Sequence, residues 1–228
     1  MNTRKIRIYI GFGTLWALCA AGLTICQGDA VAADGSSAEA EAYWKVATGR
    51  AQKIVDKLDI EDAAKAARVR DIIATQYRNL HDLQEERDAK VEELKSGTGD
   101  SKAKVEELRR ETDLAIRELH YHFLAQLAGE LDPARIDEVK DGMTYGVLPI
   151  TYHRYTQLFP DLGEEHMRFI YTALVEAREF AMDEGSSEEK HKRFGKYKGR
   201  INNYVSKLGI DMKEAERALA EKEKAAKK

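Results

Sequence analysis

The chain has 228 residues, with 40 acidic against 37 basic side chains and a formal net charge of −3 at pH 7. This length is enough for one domain with a sizeable core, and the acidic balance excludes a typical nucleic-acid-binding protein. Only two cysteines occur, Cys19 and Cys26, so the chain beyond them has no cysteine nucleophile and no cysteine-type zinc site.

The N-terminus has the layout of an export signal. Basic residues within the first seven positions precede an uncharged apolar stretch over residues 8–26, and small residues follow it. This order is typical of a signal peptide. We predict a signal peptide over residues 1–32, cleaved after Ala32 or Ala33, and a linker over residues 33–41. The mature protein is expected to be exported to the periplasm or the extracellular space.

Two alternatives to simple cleavage remain open. The apolar stretch is nearly long enough to span a bilayer, which would make it a retained anchor. Leu23-Thr24-Ile25-Cys26 places a cysteine where a lipid could be attached. The sequence therefore predicts no membrane association after cleavage, unless the protein is lipid-anchored at Cys26.

Helical periodicity dominates the remainder of the chain. Apolar residues at steps of three and four predict a first helix around residues 44–58. A longer helical pattern follows, is interrupted by "SGTGD" at residues 96–100 and then resumes. Two long helices joined by a short glycine-bearing turn predict an antiparallel helical hairpin over residues 61–131.

Helix-start signals recur along the chain. Each is an Asp or Ser that can accept hydrogen bonds from free backbone N–H groups, in most cases with a carboxylate three residues later. The predicted starts are Asp59 with Asp62, Asp132 with Pro133, Asp161 with Glu164, Ser186 with Glu189, and Asp211 with Glu214. We expect an irregular connection over residues 142–150, where Pro149 also disfavours a central strand.

These patterns predict an all-α fold, a helical bundle with a long antiparallel hairpin and a C-terminal aromatic-rich helical subdomain. We expect one helical domain over residues 42–213, of which residues 132–213 form the aromatic-rich part. The charged segment 214–228 has few apolar residues and is expected to fray.

Motifs for catalysis or metal binding do not occur. The six histidines show no metal-ligand spacing, and no nucleophile elbow, phosphate loop or dinucleotide fingerprint is present. His120 and His122 project in different directions from one helix, so they cannot share a metal. We predict no metal site, no cofactor and no assigned catalytic residue.

Tyrosines concentrate between residues 141 and 204, where they are mixed with Lys, Arg and Asn. Flat rings can contact the apolar face of a sugar, while amide and guanidinium groups bind its hydroxyls and any carboxylate. Gly195 and Gly199 suggest that another helix or a ligand approaches the backbone closely. The predicted ligand-binding residues are Tyr145, Tyr152, Tyr155, Tyr197, Lys198, Arg200, Asn202, Asn203 and Tyr204.

Three segments together resemble a known family. They are "KAARVRDIIATQYRNLHDLQEERDAKV", "VKDGMTYGVLPITYHRYTQLFPDL" and "LVEAREFAMDEGSSEEKHKRFGKYKGRINNY". They look like the secreted bacterial domain of unknown function family DUF3826, which is provisionally described as sugar-binding. The resemblance covers residues 42–213 and implies an exported helical protein that acts near polysaccharide breakdown, with no catalytic residue to carry over.

Three functions remain open from the sequence. The first is non-catalytic binding of an oligo- or polysaccharide, with an acidic sugar favoured by the basic residues. The second is a helical interaction or chaperone-like role in the cell envelope. The third is a lyase-type enzyme using the cluster Tyr152, His153, Arg154 and Tyr155. We predict no nucleic-acid partner, and the oligomeric state is left open.

Overall fold

The computed structural model describes residues 32–97 and 101–226. The chain divides into two units, residues 1–38 and 39–228, and the features below belong to the second unit, except for the first residues of α1. The predicted signal peptide and both cysteines lie outside the described residues, apart from Ala32 at the signal's end.

Within the described ranges the chain forms eight α-helices and no strand, which confirms the all-α prediction. None of these helices combines the length and apolar composition that crossing a membrane requires. In chain order they are α1 (Ala32–Val55), α2 (Ala63–Ser96), α3 (Ser101–Ala128), α4 (Pro133–Met143), α5 (Val147–Leu158), α6 (Glu164–Ala181), α7 (Ser187–Lys207) and α8 (Met212–Ala225).

The predicted hairpin is present as α2 and α3, which pack against each other along their length. Arg68, near the start of α2, forms two hydrogen bonds of 2.8 and 3.0 Å with Glu130, just beyond the end of α3. This pair brings the start of one helix to the end of the other, so the two helices run antiparallel.

Several predicted caps form as expected. Asp132 accepts a hydrogen bond from the N–H of Arg135, and Ser186 and Glu189 form a capping box at the start of α7. Asp62 and Asp211 likewise cap α2 and α8.

Two expected starts are displaced. Asp59 has a positive φ of 48° and the cap moves to Asp62. The prediction for Asp161 was wrong, because α6 begins after Gly163, which has no side chain to bond the free N–H groups.

The buried residues form two cores. The first joins α1 to α4 around Ile73, Phe123 and Val139, and the second joins α5 to α8 around Leu174 and Phe194. The aromatic-rich part predicted over residues 132–213 is therefore divided, because α4 packs into the first core.

Helices also occupy both flanks of the predicted domain. Residues 33–41, predicted as a linker, lie within α1. The tail predicted to fray forms α8, in which Leu219 is buried and Glu223 accepts a 2.6 Å hydrogen bond from Arg154.

The connection between α4 and α5 is shorter than the predicted segment 142–150. Helix α4 ends at Met143 and α5 begins at Val147, with Pro149 in its first turn, where no N–H is needed for the helix. Tyr145 and Gly146 form the turn, with φ of 59° and 68°. Tyr145 thus adopts a left-handed conformation that is uncommon for a bulky residue.

Candidate functional site

A cleft of about 980 Å³ lies among α1, α2, the α4–α5 turn and the start of α7. Helix α1 contributes Arg50, Lys53 and Lys57, and α2 contributes Tyr77 and His81. The opposite side consists of Asp141, Tyr145, Glu184 and Lys190, together with small residues at positions 185–187. The volume is in the range of sites that bind small molecules.

Tyr145 projects from the left-handed turn at the edge of this cleft. Thr144 donates its hydroxyl to the carbonyl of Lys140 at 2.8 Å, and the N–H of Gly146 donates to the carbonyl of Asp141 at 2.8 Å. These bonds fix the end of α4 and the turn. The Tyr145 side chain is 53% exposed, and its ring stacks on that of His191 at 5.7 Å. A strained residue with an exposed ring at a cleft is a recognised mark of a functional position.

Lys190 is the most unusual group of the cleft. The capping box starts α7 one turn earlier, which directs this side chain inward, and only 5% of the residue is exposed. Its Nζ donates a 3.0 Å hydrogen bond to the carbonyl of Met182 and lies 5.9 Å from the centre of the Tyr77 ring. Burial lowers the pKa of Lys190 to about 8. Among the described residues it has no ion-pair partner.

The other charges of the cleft leave a cationic surplus. Arg50, Lys53 and Lys57 line the cleft without an ion-pair partner in the described part of the chain. Two of the cleft carboxylates are neutralised from outside the cleft, Asp141 by Arg178 at 3.0 Å and Glu184 by Arg193. Of the lining carboxylates, Glu138 has no ion-pair partner among residues 32–97 and 101–226. In an acidic protein this local excess of cations favours an anionic ligand.

Aromatic rings form the wall on the α1 and α2 side. The ring of Tyr43 stacks on that of His81 at 3.7 Å, and its hydroxyl lies 3.4 Å from the carbonyl of Tyr77. Burial raises the pKa of Tyr43 and that of Tyr77, so both hydroxyls stay protonated at neutral pH. The Tyr77 hydroxyl has no hydrogen-bond partner among the described residues and can donate to a ligand in the cleft.

A network of buried charges supports the cleft from behind. Arg178 of α6 is 3% exposed and donates to Asp137 at 2.6 Å and to Asp141 at 3.0 Å, both on α4. It also pairs with Glu179 at 3.2 Å, and Glu179 in turn pairs with Lys140 at 2.9 Å. Burial raises the pKa of Asp141, which Arg178 opposes. The network fixes α4, and therefore the turn with Tyr145, against α6.

A second pair continues this network towards α7. His120 of α3 bonds Asp183 at 2.8 Å, and this bond raises the pKa of His120. Burial raises the pKa of Asp183. The backbone carbonyl of Asp183 accepts a 3.0 Å bond from Gln84. A methyl group on Gly185 would overlap the end of the Gln84 side chain and would therefore displace its carboxamide.

The residues that the sequence predicts as ligand-binding divide among three places. Tyr145 lies at the cleft. Tyr155 is buried in the second core, where its hydroxyl donates to Asn202 at 2.9 Å, and Tyr197 is buried in the same core. Tyr152 packs edge-on against Tyr171 at 5.1 Å. Lys198, Arg200, Asn203 and Tyr204 follow α7, with Lys198 half-buried and Asn203 exposed.

Part of this last group surrounds a shallow cavity of about 620 Å³. Tyr204 stacks on Phe169 at 3.9 Å and bonds His166 at 2.7 Å, while Arg200 pairs with Glu176 at 3.1 Å. The glycines of α7 adjoin this surface. Apart from the adjoining residues and the backbone of α7 itself, no described atom lies within 4 Å of a methyl group placed on Gly195 or Gly199, so no other helix of the described residues packs closely against them. The alternative, a ligand against this face, stays a prediction.

The residues of the predicted lyase-type cluster do not converge on one site. Tyr155 bonds Asn202 inside the second core, Arg154 pairs with Glu223, and His153 contacts Gln157 on the surface. The side chains face different partners. No group of three or more metal-ligating side chains occurs within the described residues.

Sequence reasoning missed most of the cleft. Arg50, Lys53, Tyr43 and Tyr77 follow ordinary helical patterns, and no local signal separates them from other surface residues of α1 and α2. Lys190 opens the basic stretch that the sequence singles out, but its burial depends on the carbonyl of Met182, which no pattern reveals.

Comparison with known families gives one match. The model of a family described as "Protein of unknown function (DUF3826)" matches residues 44–225, which include every helix from α2 to α8 and the part of α1 that follows Tyr43. No curated protein matches the chain.

Proposed function

The chain belongs to the DUF3826 family, and we propose that it binds an anionic, polyhydroxylated ligand, a sugar acid or a short acidic oligosaccharide, in the cleft beside Tyr145 and Lys190. The observation that carries the proposal is the set of unpaired cations around an aromatic cleft in a protein of net negative charge. Binding without chemical turnover is the simplest role for such a site.

The charge of the ligand follows from the charged groups that line the cleft. A buried ammonium without a carboxylate partner is unfavourable, because burial removes its hydration. Arg50 acts on Lys190 as a like charge and lowers its pKa further, against the opposing effect of the nearby Asp183 and Glu184. A ligand carboxylate between these two groups would relieve both penalties, and Arg50 can bind such a group through two parallel hydrogen bonds.

The remaining residues that line the cleft favour a ligand with hydroxyl groups. Tyr145 presents an exposed ring, and the Tyr43 and His81 rings form a second flat surface. A sugar ring offers apolar C–H faces to such rings, and its hydroxyls can accept from the Tyr77 hydroxyl. Charge alone would suit any anion, whereas charge beside several rings with hydroxyls favours a sugar acid.

The place of action is part of the proposal. The basic and apolar N-terminal segment supports export, and acidic oligosaccharides outside the cytoplasm are the matching class of ligand. A helical interaction role in the envelope remains the alternative, and the exposed apolar side chains of α3, Leu114 at 58% and Tyr121 at 67%, are the residues on which it would depend.

Calorimetry against oligogalacturonate and a neutral oligosaccharide of equal length tests the proposal. We expect binding of the acidic ligand, weakened by salt. Arg50→Met should raise the Kd roughly 10- to 150-fold, because a hydrogen bond between charged groups contributes about 1.5–3 kcal/mol. Arg168→Met, which removes an exposed arginine of α6 that lines neither cavity, is the matched control and should leave the Kd unchanged.

A double variant separates the two cavities. Arg200→Ala with Tyr204→Ala alters the α7 surface and leaves the cleft intact, so acidic ligand binding should persist. Binding that survives Arg50→Met but is lost in the double variant would move the site to α7. The absence of any glycan binding by the folded protein would refute the proposed function and favour the interaction role.

A further inference from the structure

We infer that Lys190 forms a reversible covalent imine with a ligand that has both a carbonyl and a carboxylate group, such as an open-chain uronic acid or a small oxo acid. This inference rests on the proposed function, because the carboxylate is the group that the cleft cations bind. It goes further in naming a covalent attachment site and the ligand class that it requires.

The position of Lys190 separates it from the other lysines of α7. Its Nζ lies in the cleft wall, with one hydrogen bond to a backbone carbonyl and an aromatic ring beside it. Lys192 and Lys196 on the same helix are exposed. A carbonyl oxygen accepts a hydrogen bond without fixing the charge of the amine, whereas a direct ion pair with a carboxylate would keep the amine protonated. Asp183 and Glu184 raise the pKa of Lys190 from a greater distance, but burial outweighs them. Lys190 is therefore positioned for nucleophilic use.

Burial also supplies the reactive form. An amine attacks carbonyl carbon only when it is unprotonated. With its pKa lowered to about 8, Lys190 has a free-amine fraction at neutral pH that is on the order of 100-fold larger than that of an ordinary lysine with a pKa near 10.4. The position of Lys190 in the cleft and its lowered pKa thus indicate the same residue.

The surrounding groups match the two ends of such a ligand. Arg50 acts on Lys190 and on Tyr77 electrostatically, so these three groups share one region of the cleft. A carboxylate bound to Arg50 would place the neighbouring carbonyl near Lys190. The Tyr77 hydroxyl, which stays protonated because burial raises its pKa, can donate to the carbonyl oxygen during attack.

The step balances without a further reactant. The ammonium first releases one proton to solvent, and the resulting amine nitrogen adds to the carbonyl carbon to form a carbinolamine. The carbonyl oxygen then leaves as water with both protons of the amine, and the imine nitrogen takes up one proton from solvent. The product is a protonated imine, so the positive charge of the ammonium is kept at nitrogen. The hydrogen bond to the carbonyl of Met182 can persist in that product. Addition of water reverses the reaction.

Reductive trapping tests the inference. The protein is incubated with glyoxylate and cyanoborohydride at pH 7.5, and carboxymethylated lysines are located by peptide mapping. We expect Lys190 to be labelled at least about tenfold faster than Lys196, which follows from its larger free-amine fraction. Glycolaldehyde, which lacks the carboxylate, should retain only the part of the preference that the free-amine fraction gives, and Arg50→Met should reduce the preference for glyoxylate to that level. Galacturonic acid as the carbonyl source distinguishes a sugar ligand from a small oxo acid.

Two variants keep the result interpretable. Lys190→Arg retains the positive charge but cannot form an imine, so it should lose the label while calorimetric binding of oligogalacturonate persists. Lys190→Met should lose the label and weaken that binding. Labelling of Lys190 no faster than Lys196 overturns the inference, as does equal labelling by glyoxylate and glycolaldehyde. Wild-type binding of oligogalacturonate without selective labelling overturns the covalent step alone, whereas failure of binding refutes the proposed function itself.

Discussion

Replacement of Arg178 by Met should destabilise the protein strongly. Its side chain is 4% exposed and pairs with Asp137, Asp141 and Glu179. Met occupies a similar volume but leaves the carboxylates without their partner. Asp137 is 54% exposed and stays hydrated, so most of the penalty arises at Asp141 and Glu179, whose exposures are 26% and 28%.

The magnitude follows from the cost of breaking a buried ion pair from one side. Removal of one partner typically costs about 3–5 kcal/mol, which for a chain of this size lowers Tm by roughly 6–20 °C. Loss of Arg178 also removes the charge that opposes the raised pKa of Asp141, so this carboxyl will take up a proton at a higher pH than in the wild type.

Urea unfolding followed by circular dichroism measures the effect at pH 7. Arg168→Met is again the control, because Arg168 and Glu164 are 71% and 91% exposed and their pair should contribute less than about 1 kcal/mol. Addition of Asp141→Asn to Arg178→Met should recover part of the loss by removing one unpaired charge. A loss below about 1 kcal/mol for Arg178→Met would refute the view that this network fixes α4 against α6.

Four further variants test other positions. His120→Asn should lose most stability below pH 6.5 and progressively less at higher pH. The reason is that the raised pKa of His120 contributes stability that disappears once its imidazole deprotonates in the folded protein. Urea unfolding at a series of pH values measures this dependence. Gly195→Ala should stabilise by up to ~1 kcal/mol in urea unfolding, whereas Gly142→Ala should destabilise by about 1–3 kcal/mol because its methyl would lie 3.0 Å from Ile54. Tyr145→Asn should stabilise by about 1 kcal/mol by easing the left-handed turn while weakening glycan binding in calorimetry.

Features set by local chemistry could be predicted from the sequence. The α2–α3 hairpin follows from helical periodicity and a glycine-bearing turn, and the Ser186–Glu189 capping box from four adjacent positions. The predicted start of α6 was wrong because Asp161, although its side chain is suited to capping, lies two residues before the observed N-cap, Gly163. Gly163 caps through its backbone conformation alone, and no side-chain pattern marks such a start.

Features set by distant contacts could not be predicted. Composition predicted a linker before the domain and a fraying tail after it, but both segments are helical. At the C-terminal end, the buried Leu219 and the pair of Arg154 with Glu223 attach α8 to the remainder of the domain. The cleft combines residues more than 100 positions apart, such as Arg50 and Lys190. The enrichment in tyrosine directed attention to Tyr145, which lies at the cleft. The same pattern predicted other tyrosines as ligand-binding, but Tyr155 and Tyr197 are buried in the second core.

The order of helix contacts has a consequence for how the protein acquires its site. The largest contacts join helices that are consecutive in the chain, α2 with α3, α5 with α6 and α6 with α7. Such neighbours meet at little loop-closure cost, and chains rich in them fold quickly. The cleft depends instead on α1 and α2 meeting the start of α7. During refolding, helical signal should therefore appear before the proposed ligand binding, because the cleft depends on the slowest-forming contacts of the chain.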